Sequence, residues 1–250
     1  MSTGFSDGWK ISSLYRRGLF QIDGSTPNYQ LVQSMVAISQ LIRIETVRND
    51  KNIPYEGQFW VCSFTFSAEV PLYAFSTDPG VGISIWDSYS NDGRTYTVRL
   101  ITETQATVRF FVFSNVPPVD HGFGLQVFNE RSQLIADALT PFYRVLDVVQ
   151  DVYMNGTGWT VEGAPSPQWQ QRLYDRPVLI SGMWPAHFIW GSSNSNQRLW
   201  DILEISAVRV SGGNVSWGTL LYNGGRHPNV ATFRECWHYR FMVLDGTGII

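Results

Sequence analysis

Lysine is almost missing from this chain of 250 residues: only Lys10 and Lys51 occur, and arginine carries the rest of the positive charge. Charged residues make up 16% and the formal net charge is −3, so no basic stripe is present of the kind nucleic-acid binders use, and no nucleic-acid partner is expected. Arginine in place of lysine suits cations that are partly desolvated at protein contacts. Cysteine is equally scarce. Cys62 and Cys236 are too few for a disulfide scaffold or a zinc cluster, and each lies within an apolar run, which predicts buried free thiols.

Other absences narrow the function. The opening Met-Ser-Thr-Gly-Phe-Ser-Asp has no basic segment leading into an apolar one, so synthesis and folding in a cytoplasm are expected. No apolar run approaches the ~20 residues that span a bilayer, so membrane insertion is not expected. There is no phosphate-binding glycine loop and no Gly-x-Ser-x-Gly elbow, and no spacing singles out a carboxylate pair. Of the four histidines, His238 could join Cys236 on one strand face with His227 near in sequence, but no third ligand has local spacing, and a structural role is the better reading. The expectation is no enzyme, no metal and no cofactor.

What is present is apolar and aromatic: 44% hydrophobic residues and 14% aromatics, ample for packed cores. No window combines a 3.6-residue period with caps, so helices should be few. Strand signals recur instead. Asn91-Asp-Gly93 between Ile83–Trp86 and Tyr96–Ile101 is a hairpin turn, and so is Ser211-Gly-Gly-Asn214. Tyr29 to Val47 reads as one long bent strand or two strands, and Phe59–Phe66 as a central sandwich strand.

The stretch His121–Val149 is echoed near the N-terminus at a constant offset of 114 residues. Gly122, Arg131, Asp137, Thr140, Pro141 and Tyr143 fall on Gly8, Arg17, Asp23, Thr26, Pro27 and Tyr29, and the apolar positions follow. Arg240–Leu244 likewise matches Arg109–Phe113, with the offset grown to 131. The fold expected is all-β: two tandem antiparallel β-sandwich modules related by internal duplication, 1–117 and 118–250, with Pro117-Pro118 at the boundary. The repeated Asp23 and Asp137 stand before turns and are expected to accept backbone N–H bonds there.

The second module carries about 17 extra residues, placed within a Trp/Pro-rich insertion at about 156–200. Its prolines argue against regular central strand. It is also the candidate interaction surface: Trp159, Trp169, Trp184, His187, Trp190, Asn194, Asn196 and Trp200. Flat indoles with amide side chains suit a sugar or receptor; tryptophan with arginine suits a protein contact; and the same tryptophans could pack the loop onto its own sandwich.

Gly124-Leu-Gln-Val-Phe-Asn-Glu-Arg-Ser-Gln-Leu-Ile-Ala-Asp137, followed by Tyr143-Arg-Val-Leu-Asp-Val148 and closing with Tyr239-Arg-Phe-Met-Val-Leu-Asp245, resembles the small tail-associated structural proteins of tailed bacteriophages. The resemblance covers about half the chain and departs where that family has glycine in the hairpin turn and this chain has Ser132. It implies a virion protein of the tail tip or fibre-attachment region, a minor tail protein without catalytic activity. The implied partners are other tail proteins in an oligomeric assembly. The alternative is a carbohydrate- or receptor-binding module of a tail fibre or spike, contacting a host surface glycan.

Overall fold

The computed structural model describes residues 11–15, 18–22, 28–48, 54–115, 120–152, 158–160, 169–183, 187–193, 199–221, 232–234 and 238–250, and among them there is no helix. In chain order the strands are β1 (Ile11–Tyr15), β2 (Gly18–Ile22), β3 (Gln30–Ile38), β4 (Gln40–Arg48), β5 (Pro54–Ser67), β6 (Leu72–Thr77), β7 (Ile83–Ser90), β8 (Thr95–Thr102), β9 (Thr107–Ser114) and β10 (Gln126–Phe128). Then follow β11 (Leu134–Asp137), β12 (Val145–Val152), β13 (Gly158–Thr160), β14 (Gln170–Leu173), β15 (Val178–Ser181), β16 (His187–Ser193), β17 (Leu199–Ser211), β18 (Asn214–Leu221), β19 (Thr232–Arg234) and β20 (His238–Asp245). Every pairing is antiparallel.

Two sheets face each other across one core. The first runs β12-β20-β15-β6-β9-β3 and the second β14-β18-β17-β7-β8-β5-β4, with β16 also pairing β17. Period-two alternation explains which residues enter the core. Val108, Phe110 and Val112 of β9 point between the sheets, against Cys62, Phe64 and Phe66 of β5, while Phe111 and Phe113 point to the outer face and a second apolar cluster. Burial on both faces is why β9 reads as an unbroken apolar run. Cys62 is a buried free thiol, and burial pushes its pKa up to about 12. Cys236 lies outside the described residues.

The halves share this core. One cluster holds Phe64 and Phe110 from the first half with Val178, Ile180, Val208 and Phe241 from the second. They join edge to edge: in the first sheet Phe75 pairs Ile180 and Ala74 pairs Ser181, and in the second Ile83 pairs Val208. From this seam outward the first sheet reads β6-β9-β3 on one side and β15-β20-β12 on the other. Set beside the sequence repeat, β3 matches β12 and β9 matches β20. The expected boundary at 117/118 falls in 116–119, outside the described residues.

One expectation is overturned. The prolines of the Trp/Pro-rich insertion argue against central strand there, yet β15 lies within it and sits between β20 and β6. The proline nearest its start flanks the strand without interrupting it: Val178–Ser181 is an apolar run buried throughout, and Pro177 precedes it with its carbonyl accepting the Gly246 N–H. A ladder donor is lost only where proline stands inside the strand.

The sandwich is closed differently at its two sides. On one, β3 passes directly into β4 through Ser39, whose buried hydroxyl accepts the Ala106 N–H at 2.9 Å and meets Thr102 Oγ1 at 2.8 Å. On the other, Asp147 of β12 reaches the second sheet, bound by Arg172 of β14 at 2.5 Å and by the Tyr174 hydroxyl at 2.7 Å. Burial raises the Asp147 pKa, but these two partners outweigh it and the net shift is downward.

The β17–β18 turn gives a local test. A Cβ at Gly213 would stand 2.8 Å from the Arg176 carbonyl oxygen and closer still to that of Tyr174, both backbone atoms that cannot swing aside. Gly212 has φ +59° but open space around it. Gly213→Ala is therefore expected to cost more than Gly212→Ala, which pays only the ~1 kcal/mol order of a left-handed residue. Paired urea unfolding curves check the ranking.

Candidate interaction surface

The hairpin β10–β11 is built by its turn. Asn129 Oδ1 accepts the N–H groups of Arg131 and Gln133, each at 2.9 Å, and Ser132 takes φ +58°. That left-handed conformation is the one glycine adopts without strain. At the hairpin's start Gly124 has φ +93°, and a Cβ there would meet Leu139 at 3.6 Å.

The base of the hairpin is fixed by a buried carboxylate. The Asp137 side chain is 0% exposed; Oδ1 accepts the Leu139 N–H at 2.8 Å, the turn bond expected from the sequence. Its Oδ2 meets Gln126 Nε2 at 3.1 Å and His121 Nδ1 at 3.2 Å. Gln126 also donates to Asp120 at 2.7 Å. Asp23, the matching position in the first half, lies outside the described residues.

A second residue, invisible in the sequence reading, ties this hairpin to the first half. Gln30, fully buried at the start of β3, donates to the carbonyls of Asp137 at 2.6 Å and Thr140 at 2.8 Å, and accepts the Asp137 N–H at 3.1 Å. Its only sequence trace is a polar residue heading an apolar strand. The chain then crosses the outer face of the first sheet: Leu31 N donates to Pro141 O, Tyr143 N donates to Tyr29 O, and the Tyr143 ring stands edge-on to Phe113 at 5.3 Å. Its hydroxyl meets Ser181 Oγ at 2.6 Å.

This frame presents apolar groups to solvent. Phe123 is 70% exposed, and Leu125, Phe128 and Leu139 are exposed on the same hairpin and its flanks. Contiguous exposed apolar groups on a folded protein mark contact surfaces.

The carboxylate gives a pH prediction. The Gln126 amide, with Leu139 N–H and His121, holds the Asp137 pKa down to about 2, below the 3.8 of a free carboxyl, against the opposing effect of burial. A depressed folded pKa means stability that is present above pH 3.8 and lost as pH falls toward 2. Asp137→Asn should therefore be less stable than the parent above about pH 4, the gap narrowing toward pH 2, as read from urea midpoints across that range.

The aromatic candidates are only partly brought together. Trp169 lies flat on the sheet: its indole occupies the space over Gly218, and the Arg209 guanidinium sits 4.0 Å from its ring centroid. Arg209 is held in turn by Glu103 at 2.6 Å. Trp190 and His187 belong to β16, where they pair Ile202 and Ile205, and Trp200 of β17 pairs Ser192. Trp159 is in β13, paired to Phe233 of β19. Trp184, Asn194 and Asn196 lie outside the described residues. Among those described, no three His, Cys, Asp or Glu side chains gather as a metal site.

Fold and surface together define an all-β antiparallel sandwich bearing a braced apolar hairpin. No family model, curated protein or solved structure matches the chain.

Proposed function

We propose that the chain is a structural component of a bacteriophage tail, at the tail tip or the fibre-attachment region, and that it works through protein–protein contacts. The observation that carries this reading is the hairpin β10–β11. The residues that resemble tail-associated proteins form it and the strands β12 and β20 on which its half is built. It offers Phe123, Leu125 and Phe128 to solvent from a base pinned by Asp137 and Gln30. A rigid apolar projection loses little conformational freedom on binding, which suits permanent assembly. The lysine-poor composition, with the Arg172–Asp147 ion pair joining β14 to β12, supports the same reading.

Mass spectrometry and negative-stain microscopy of purified particles test it. The chain is expected among the particle proteins, and antibody against it should decorate one end of the tail. Absence from the particle overturns the proposal.

A further inference from the structure

Among the described residues the two sheets end laterally in β3, β12, β4 and β14, and β16 stands off this path with β17 as its partner. Three carry charge: β12 has Asp147 and Asp151, β4 has Arg43, Glu45 and Arg48, and β14 has Arg172. β3, Gln-Leu-Val-Gln-Ser-Met-Val-Ala-Ile, has none, and no proline. Its outward row of Ser34, Val36 and Ile38 is uncharged and open, with Val36 65% and Ile38 55% exposed. Met35 and Ala37 face the core. Soluble proteins guard such edges with charge, proline or a bulge along the strand. Here the start of the strand is taken by the irregularity between Leu31 and Gln33 and by the antiparallel bridge from Gln30 to Phe142, and the edge from Gln33 to Ile38 is unguarded.

We propose that β3 pairs antiparallel with β3 of a second copy, joining two first sheets into one continuous sheet. The choice of a second copy over another chain rests on charge and pattern. A two-fold axis at Met35 sets Ser34 of each copy against Val36 of the other, matching outward residues with outward residues and opposing no charges. The same operation on β12, centred at Val149, would oppose Asp147 to Asp151, a destabilising like-charge pair. An isologous interface needs a self-complementary surface, and of the four strands that end the sheets laterally β3 is the neutral one. The molecule already joins its own halves by the same kind of antiparallel edge contact, β6 to β15.

Sedimentation equilibrium of the full chain tests this. The parent is expected to be a dimer at micromolar concentration. Val36→Lys, at an exposed position that the monomer fold tolerates, should raise the dissociation constant about tenfold or more. Combining it with Ser34→Glu should restore the dimer, because the new carboxylate of each copy lies opposite the new ammonium of the other. A parent that stays monomeric overturns the proposal, as does a Val36→Lys variant that remains fully dimeric, or a double variant no better than the single one. The tail-protein reading does not enter this argument, and a monomer in solution would leave the particle test untouched.

Discussion

Phe110→Ala is expected to lower the unfolding free energy by about 3–5 kcal/mol, the range for a large aromatic deleted from a rigid core. Phe110 is 0% exposed and lies where the two sheets meet. Its ring stacks on Phe64 at 4.8 Å and on Tyr73 at 5.2 Å, and lies 5.6 Å from Phe66. Removing it leaves a void lined by three aromatic rings, which cannot close it without leaving their own partners. β9, which carries Phe110, is also bonded on both edges, to β3 and β6, so the backbone cannot shift inward. Guanidinium unfolding of parent and variant measures the loss. Phe128→Ala, at an exposed site, serves as the control and should change stability by under about 0.5 kcal/mol. A loss at Phe110 no larger than at Phe128 would mean that the rings are not packed as described.

The second large effect is expected at Gln30. Gln30→Ala strips partners from two carbonyls and from the Asp137 N–H, and a buried polar group left unpaired costs roughly 1–3 kcal/mol. Water entering the vacated space would relieve part of this, so the expected loss is about 3 kcal/mol. The damage should be directional. Amides at the base of the β10–β11 hairpin, Asp137 and Leu139 in particular, should exchange with solvent faster, while those of β8, on the other sheet, keep their protection. Hydrogen exchange resolved along the chain separates this pattern from general unfolding. Uniform acceleration would show that Gln30 serves the fold as a whole and not the hairpin.

Much of the fold was legible because it is local. The turns at Asn91-Asp-Gly93 and Ser211-Gly-Gly-Asn214 join β7 to β8 and β17 to β18, since Gly and Asn there announce a reversal between alternating runs. The bent run from Tyr29 is β3 and β4, with Ser39 at the bend. The capping role of Asp137 was legible for the same reason, because Leu139 is two residues away. What could not be read is non-local. Gln30 finds Asp137 across 107 residues, and nothing near Gln30 announces it. β15 was hidden by the prolines and tryptophans around it, because a four-residue apolar strand gives too short a pattern to outweigh its neighbours. Of the aromatic candidates, Trp169 could be recognised as a tryptophan but not as one lying on Gly218, since that contact joins separate strands.

The seam between β6 and β15 also has a meaning in time. A ribosome releases β6 about a hundred residues before β15, the strand that covers its edge. During that interval β6 has an open edge, and Phe111 and Phe113 wait for the segment that carries Tyr143 to cross them. Exposed strand edges and apolar faces of this kind are what aggregating intermediates share. The nascent chain therefore passes through a vulnerable stage set by the order of its own synthesis, and it becomes safe only when the second half arrives to finish the first.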